Sequence, residues 1–267
     1  MTTPLRVLSF GVGVQSWTLA AMMALGELEL ADYTVFADTK HESVGTYQHL
    51  MKWTPWLEER GHKVIVVESD RTEVVREDWS DSVLIPAFTV DSEDGSHGII
   101  KRQCTHDWKI MPIRRFVRTL LPAPPAPGSV VSIQGISWDE ARRMRESDVA
   151  YITHEYPLVD LRMTRSDCIL WLVSHGLDVP PKSGCVFCPY TSIGRWKARK
   201  RAGGEDWRHA VEVDSAIRSK RPKAALFVHP YRKALAEAVE IPEDHGAAQL
   251  ALELDPEAPC DSGACFV

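Results

Sequence analysis

Six cysteines stand in the 267-residue chain, at positions 104, 168, 185, 188, 260 and 265. Cys185-Val186-Phe187-Cys188 spaces two thiols so that both can face one metal ion, although two ligands make only half a site. Cys104 lies far upstream, within Arg102-Gln103-Cys104-Thr105-His106-Asp107-Trp108-Lys109-Ile110-Met111-Pro112-Ile113. Cys260 and Cys265 share the tail Pro259-Cys260-Asp261-Ser262-Gly263-Ala264-Cys265-Phe266-Val267. The segment Met1-Thr2-Thr3-Pro4-Leu5-Arg6 runs straight into an apolar stretch without a signal-peptide pattern, so a cytoplasmic location is expected. In that compartment spaced cysteines point to a metal or to catalysis before they point to disulfides. Cys168, beside Ile169 and Leu170, reads instead as a small buried hydrophobe.

Three further segments carry chemistry. Ser9-Phe10-Gly11-Val12-Gly13-Val14-Gln15-Ser16 places two glycines between an apolar run and a helical pattern. Backbone N–H groups in such a loop can approach an anion, aided by the partial positive charge of the helix start. The same residues would serve equally as a tight turn. Phe36-Ala37-Asp38-Thr39-Lys40-His41-Glu42 sets an acid and a hydroxyl where open α/β sheets place ligands. Thr39 with Glu42 also fits a helix capping box. Gly135-Ile136-Ser137-Trp138-Asp139-Glu140-Ala141-Arg142-Arg143-Met144-Arg145 gathers arginines able to grip phosphate or sulfate, or to line a solvated helix face. Net charge is −6, which excludes a polyanion-binding surface as a whole. Segments 195–201 and 218–223 are locally basic, suited to a tRNA or DNA backbone or to a solvated helix face.

The elements that must hold these residues follow from periodicity. Arg6–Phe10, Tyr33–Ala37, Lys63–Val67 and Val130–Ile136 read as strands; Ser16–Leu25, Val44–Arg60 and Trp108–Leu121 read as helices. Such alternation predicts a mostly parallel sheet with helices on both faces. Residues 80–101 read as a long mobile loop, and Pro122–Gly128 as a stiff connector. Beyond Pro157 the pattern is mainly helical, with Thr164 capping a helix to about His175. The expected organisation is an α/β nucleotide-binding domain over 1–160 and a mainly helical region over 161–267. No apolar stretch approaches the roughly 20 residues needed to cross a bilayer.

In their order along the chain, these motifs resemble the PAPS-reductase branch of the PP-loop superfamily, whose fold is adenine nucleotide alpha-hydrolase-like. The glycine loop resembles Ser-Gly-Gly-x-Asp-Ser: Gly13 and Ser16 match, while Val14 and Gln15 replace the usual Lys and Asp. Asp38-Thr39 is similar to an Asp-Thr-Gly element, with Lys40 in place of the glycine. Cys104, Lys109 and Pro112 align with Cys-Cys-x-x-Arg-Lys-Val-x-Pro-Leu, Thr105 taking the second cysteine's place, and Cys185 and Cys188 match the later pair. The Gly135 segment is similar to Gly-x-Arg-x-x-Glu-Ser-x-x-Arg, with Ser137 at the first Arg. Tyr156–Arg162 resembles a Pro-Leu-x-x-Trp segment.

The resemblance implies an enzyme that binds ATP or adenylyl sulfate through Ser9, Gly11, Gly13, Ser16, Asp38, Thr39, Arg142 and Arg162. It implies sulfur transfer or reductive sulfur chemistry at a [4Fe-4S] cluster on Cys104, Cys185, Cys188 and Cys265. Cys260 would be the tail nucleophile, with a thiol electron donor. Which tail cysteine takes which role stays open at this point. An ATP-dependent tRNA or DNA thiolation or desulfuration enzyme is the competing enzymatic reading. A nucleic-acid-binding or regulatory protein with a structural zinc site is the non-enzymatic one.

Overall fold

The structure is a computed structural model, and it describes residues 3–75 and 83–242. Cα packing divides the chain into two compact units at places other than residue 160. The first contains residues 3–70 and 107–183; the second contains 71–75, 83–106 and 184–242. The first unit runs past 160 because the helix at Arg165–Ser174 buries Cys168 and Leu172 in the same apolar cluster as Trp17 and Leu19.

The first unit is built on five strands: β1 (Leu5–Ser9), β2 (Tyr33–Asp38), β3 (Val64–Glu68), β6 (Val130–Ile133) and β7 (Ile152–Glu155). Their order is β3-β2-β1-β6-β7, and every pairing is parallel. Successive side chains of a strand face opposite sides. Leu8, Phe36 and Ile133 accordingly join one core with α1 (Val14–Ala24), α2 (Val44–Glu58) and α5 (Arg165–Ser174). Val7, Val35, Ala37 and Val130 join the other, with Ile113 and Val117 of α3 (Met111–Thr119). This is the expected α/β architecture, a parallel sheet with helices on both faces. A short helix α4 (Pro157–Asp160) precedes α5, whose N-cap Thr164 and Asp167 form a reciprocal capping box.

The helix expected from Trp108 opens instead as a π-turn, His106–Ile110, before α3 begins at Met111. Pro112 sets that boundary, because it lacks an N–H and is tolerated only in a first helical turn.

The second unit corrects the loop expectation for 80–101. Phe88–Asp91 forms β4 and His97–Ile99 forms β5, an antiparallel hairpin joined by β8 (Ala224–Phe227) on its other side. Asp91 accepts the Glu93 N–H at 2.8 Å and Asp94 that of Ser96 at 2.8 Å, which tightens the turn around Gly95 at φ 72°. Helices α6 (Ile193–Ala202), α7 (Gly204–Ile217) and α8 (Leu235–Ala238) complete the unit. Asp214 of α7 ties that helix to the exit of β8 and the start of α8: it accepts the Val228 N–H at 3.0 Å and the Leu235 N–H at 2.9 Å, and pairs with Arg218. Among the described residues no helix is long and apolar enough to cross a membrane.

Candidate functional site

In the sheet order β3-β2-β1-β6-β7 the chain winds outward from β1 in one direction and from β6 in the other. The reversal between β1 and β6 opens a crevice beyond their carboxyl ends, where parallel sheets bind ligands. The glycine loop leaves β1 at this place. Gly13 is the N-cap of α1, supplies no side chain to its first turn, and no acidic residue follows it there. The first N–H groups of a helix have no partner within it, and the helix dipole makes their surroundings favourable to negative charge. Val12 holds φ 55°, a left-handed conformation that a β-branched residue adopts at a cost of about 1–2 kcal/mol. It takes the place of a glycine in the motif that the loop resembles.

The β6 side of the crevice fits closely against this loop. A Cβ on Gly135 would stand 2.8 Å from the Ser16 nitrogen and 3.0 Å from its Cα, so only glycine lets the two chains meet. Below them, the Gln134 amide donates to Ser9 Oγ at 3.2 Å and to Ser132 Oγ at 2.8 Å. Gln15 reaches across to Ser137 Oγ at 3.5 Å and to Glu140 Oε2 at 3.4 Å. Burial pushes the Glu140 carboxyl above its usual range, against the pull of Arg143, which pairs with it at 3.5 Å. Ser16 Oγ turns back to the Gly13 carbonyl at 3.3 Å.

At the end of β2, Asp38 Oδ1 accepts the Tyr47 hydroxyl at 2.7 Å and the Lys40 N–H at 2.8 Å, while Oδ2 lies 3.0 Å from the Lys40 ammonium. Burial alone would raise this carboxyl's pKa; the Tyr47 hydroxyl and both Lys40 contacts outweigh it, and the net shift is downward. Lys40 sits at φ 62°, where the resembled motif has glycine. Thr39 is fully buried and its hydroxyl accepts the His41 N–H at 3.3 Å. The cap of α2 is Ser43, which accepts from the Thr46 N–H, so Thr39 and Glu42 do not form the capping box their spacing allowed. Glu42 instead forms a buried ion pair with Lys109 at 3.1 Å. Arg142 and Arg162 are exposed, the latter over the Trp138 ring at 5.8 Å. The sequence does not single out Tyr47 and Gln134, and it marks Gln15 and Glu42 only as a motif departure and a capping partner, because the contacts they make here come from residues elsewhere along the chain.

Cys104, Cys185 and Cys188 all fall in the second unit. Cys185 and Cys188 bracket a turn closed by the Cys188 N–H to the Cys185 carbonyl at 3.1 Å. Arg199 of α6 donates to the Val186 carbonyl between them at 2.5 Å and lies 5.1 Å from the Trp196 ring centre. Cys260 and Cys265 lie outside the described residues. Among the described residues, no three His, Cys, Asp or Glu side chains converge as metal ligands would. The described cysteines therefore do not by themselves make the four-thiolate set that a [4Fe-4S] cluster or a closed zinc site takes. Cys168 is fully buried, as expected, and burial pushes its thiol up to about 12.

Several side chains of the basic segments are engaged within the second unit. Arg199 serves the Val186 carbonyl, Lys200 pairs with Glu240, Arg218 with Asp214 and Lys223 with Glu93.

No family model matches the chain, and no curated protein matches it. Among solved structures it is similar to phosphoadenylyl-sulfate (PAPS) reductase from Candida auris in a phosphate complex. The identity is 14%, the TM-score 0.45, and the match covers 67% of this chain and 76% of that one.

Proposed function

We propose that the protein is a PAPS-reductase-like PP-loop enzyme whose first unit binds an adenine nucleotide. The observation that carries this reading is the uncapped start of α1 at the point where the sheet reverses its winding, closed on its far side by Gly135. Phosphate or sulfate oxygens accept from the loop N–H groups between Ser9 and Ser16, and Asp38 holds the sugar end. Gly11 and Gly13 keep side chains out of the path of the anion, and Arg142 and Arg162 supply charge from the crevice rim. Gln15, in place of an aspartate, suits binding better than hydrolysis of the nucleotide.

The chemistry we infer is sulfur transfer or reduction on such a nucleotide, adenylyl sulfate being the specific version, with Cys260 as nucleophile and a thiol as electron donor. Lys200, Arg218 and Lys223 of the basic segments are paired with carboxylates of the second unit, which takes part of their charge from a nucleic-acid backbone.

Gly13→Asp tests the binding half. An aspartate is a good N-cap and leaves α1 intact, yet it sets a carboxylate where the anion belongs. Calorimetry is expected to show ATP or AMP binding to the wild type and none to Gly13→Asp, with unchanged circular dichroism. Nucleotide binding that survives Gly13→Asp at full strength removes the loop from the site. Thiol-dependent sulfite release from adenylyl sulfate, lost in Cys260→Ser, tests the chemical half. Iron, sulfide and zinc assays on anaerobically purified protein test the cysteine set.

A further inference from the structure

Asp38 is the last residue of β2, one strand from the glycine loop, and its side chain is about one-tenth exposed. A carboxylate offers about four lone-pair directions. Three are already taken, by the Tyr47 hydroxyl, the Lys40 N–H and the Lys40 ammonium. The remaining direction, on Oδ2, can accept a hydrogen bond. Tyr47 fixes which way it faces, because its hydroxyl donates to Oδ1 from the first turn of α2.

The charge around this carboxylate decides what may donate to it. Among the described residues the ammonium beside it, that of Lys40, is shared with Glu68 of β3. Two carboxylates against one ammonium leave this edge of the sheet negative. Nearby Glu42 is matched by Lys109 and adds no cation to spare. A sugar hydroxyl is welcome at such a place, whereas a phosphate brings like charges together and pays heavily.

We propose that Asp38, aimed by Tyr47, determines specificity in the nucleotide site, admitting adenine nucleotides with free 2′ and 3′ ribose hydroxyls and rejecting 3′-phosphorylated ones. This rests on the reading that the first unit binds an adenine nucleotide. It narrows the substrate class from adenylyl sulfates in general to those without a 3′-phosphate.

Calorimetry on the full chain tests it with three ligands: AMP, adenosine 3′,5′-bisphosphate and 3′-deoxy-AMP. AMP is expected to bind at least about tenfold more tightly than the bisphosphate, and 3′-deoxy-AMP to be weakened relative to AMP. Asp38→Asn, which keeps the shape and removes the charge, is expected to shrink the AMP preference to about threefold or less. Tyr47→Phe frees the carboxylate without removing it, and serves as a second variant should Asp38→Asn lose its fold by circular dichroism; it narrows the gap in part. A bisphosphate that binds as well as AMP overturns the proposal and leaves the nucleotide reading standing. So does a gap that both variants leave unchanged. Failure of all three ligands to bind sinks the nucleotide reading itself.

Discussion

Gly135 rests against the backbone of Ser16, with 2.8 Å between the place its Cβ would occupy and the Ser16 nitrogen. The obstructing atoms are backbone, so they cannot swing aside as a flexible side chain would. Gly135→Ala must push β6's exit away from the start of α1, at an expected cost of about 1–3 kcal/mol. Urea unfolding should show the loss in stability, and nucleotide affinity should fall with it, since the loop N–H groups are displaced.

Glu42 and Lys109 are nearly removed from water and lie 3.1 Å apart. Removing one partner strands a buried charge, so Lys109→Met is expected to destabilise by about 3–5 kcal/mol. The double variant Glu42→Leu/Lys109→Met should recover most of that, because two apolar groups of similar volume need no solvation. A double-mutant cycle in urea measures the coupling directly.

Lys40 at φ 62° separates backbone strain from side-chain contacts. Both Lys40→Ala and Lys40→Gly lose the ammonium contacts to Asp38 and Glu68 and keep the Lys40 N–H to Asp38. Only glycine also relieves the left-handed conformation, so Lys40→Gly should be more stable than Lys40→Ala by about 1 kcal/mol. Equal stabilities would mean that the turn rearranges when the lysine leaves.

Three buried histidines, His49, His62 and His229, have pKa values lowered by burial and set a pH dependence. Burial pushes His49, packed 5.1 Å from the Trp17 ring, down to about 4, and His229 of the second unit likewise to about 4. Their folded-state values lie below the ordinary 6.5, so the unfolded chain binds protons first as pH falls. Stability is therefore full above about pH 6.5 and declines toward pH 4, by up to about 1.4 kcal/mol per pH unit for each histidine. His229→Gln should lower the slope measured by urea unfolding across that window by up to about 1.4 kcal/mol per pH unit, leaving the part due to His49 and His62.

The parallel sheet and its loop were legible because both rest on local signals. Apolar runs ending at Gly11, Asp38 and Gly135 announce strand exits, and Thr164 announces a helix start. The hairpin β4–β5 was not, since Phe88-Thr89-Val90 is short and its acidic, glycine-bearing turn resembles an open loop. The real partner of β4 is β8, far along the chain, and no local pattern encodes that pairing. The same holds in the site. Gln15, Tyr47 and Glu42 gain meaning only from partners at Glu140, Asp38 and Lys109 that the fold brings to them.

The pairing of β4 with β8 bears on how the chain is made. Residues 88–91 leave the ribosome roughly 130 residues before residues 224–227 exist to complete their sheet. At about 5–20 residues per second, the β4–β5 hairpin waits on the order of 10 s with one edge open. Meanwhile residues 107–183 emerge, and the parallel sheet has everything it requires once β7 is made. The nascent chain thus carries a complete parallel sheet interrupted by an unsealed hairpin, whose unpaired edge is a template for pairing with another chain.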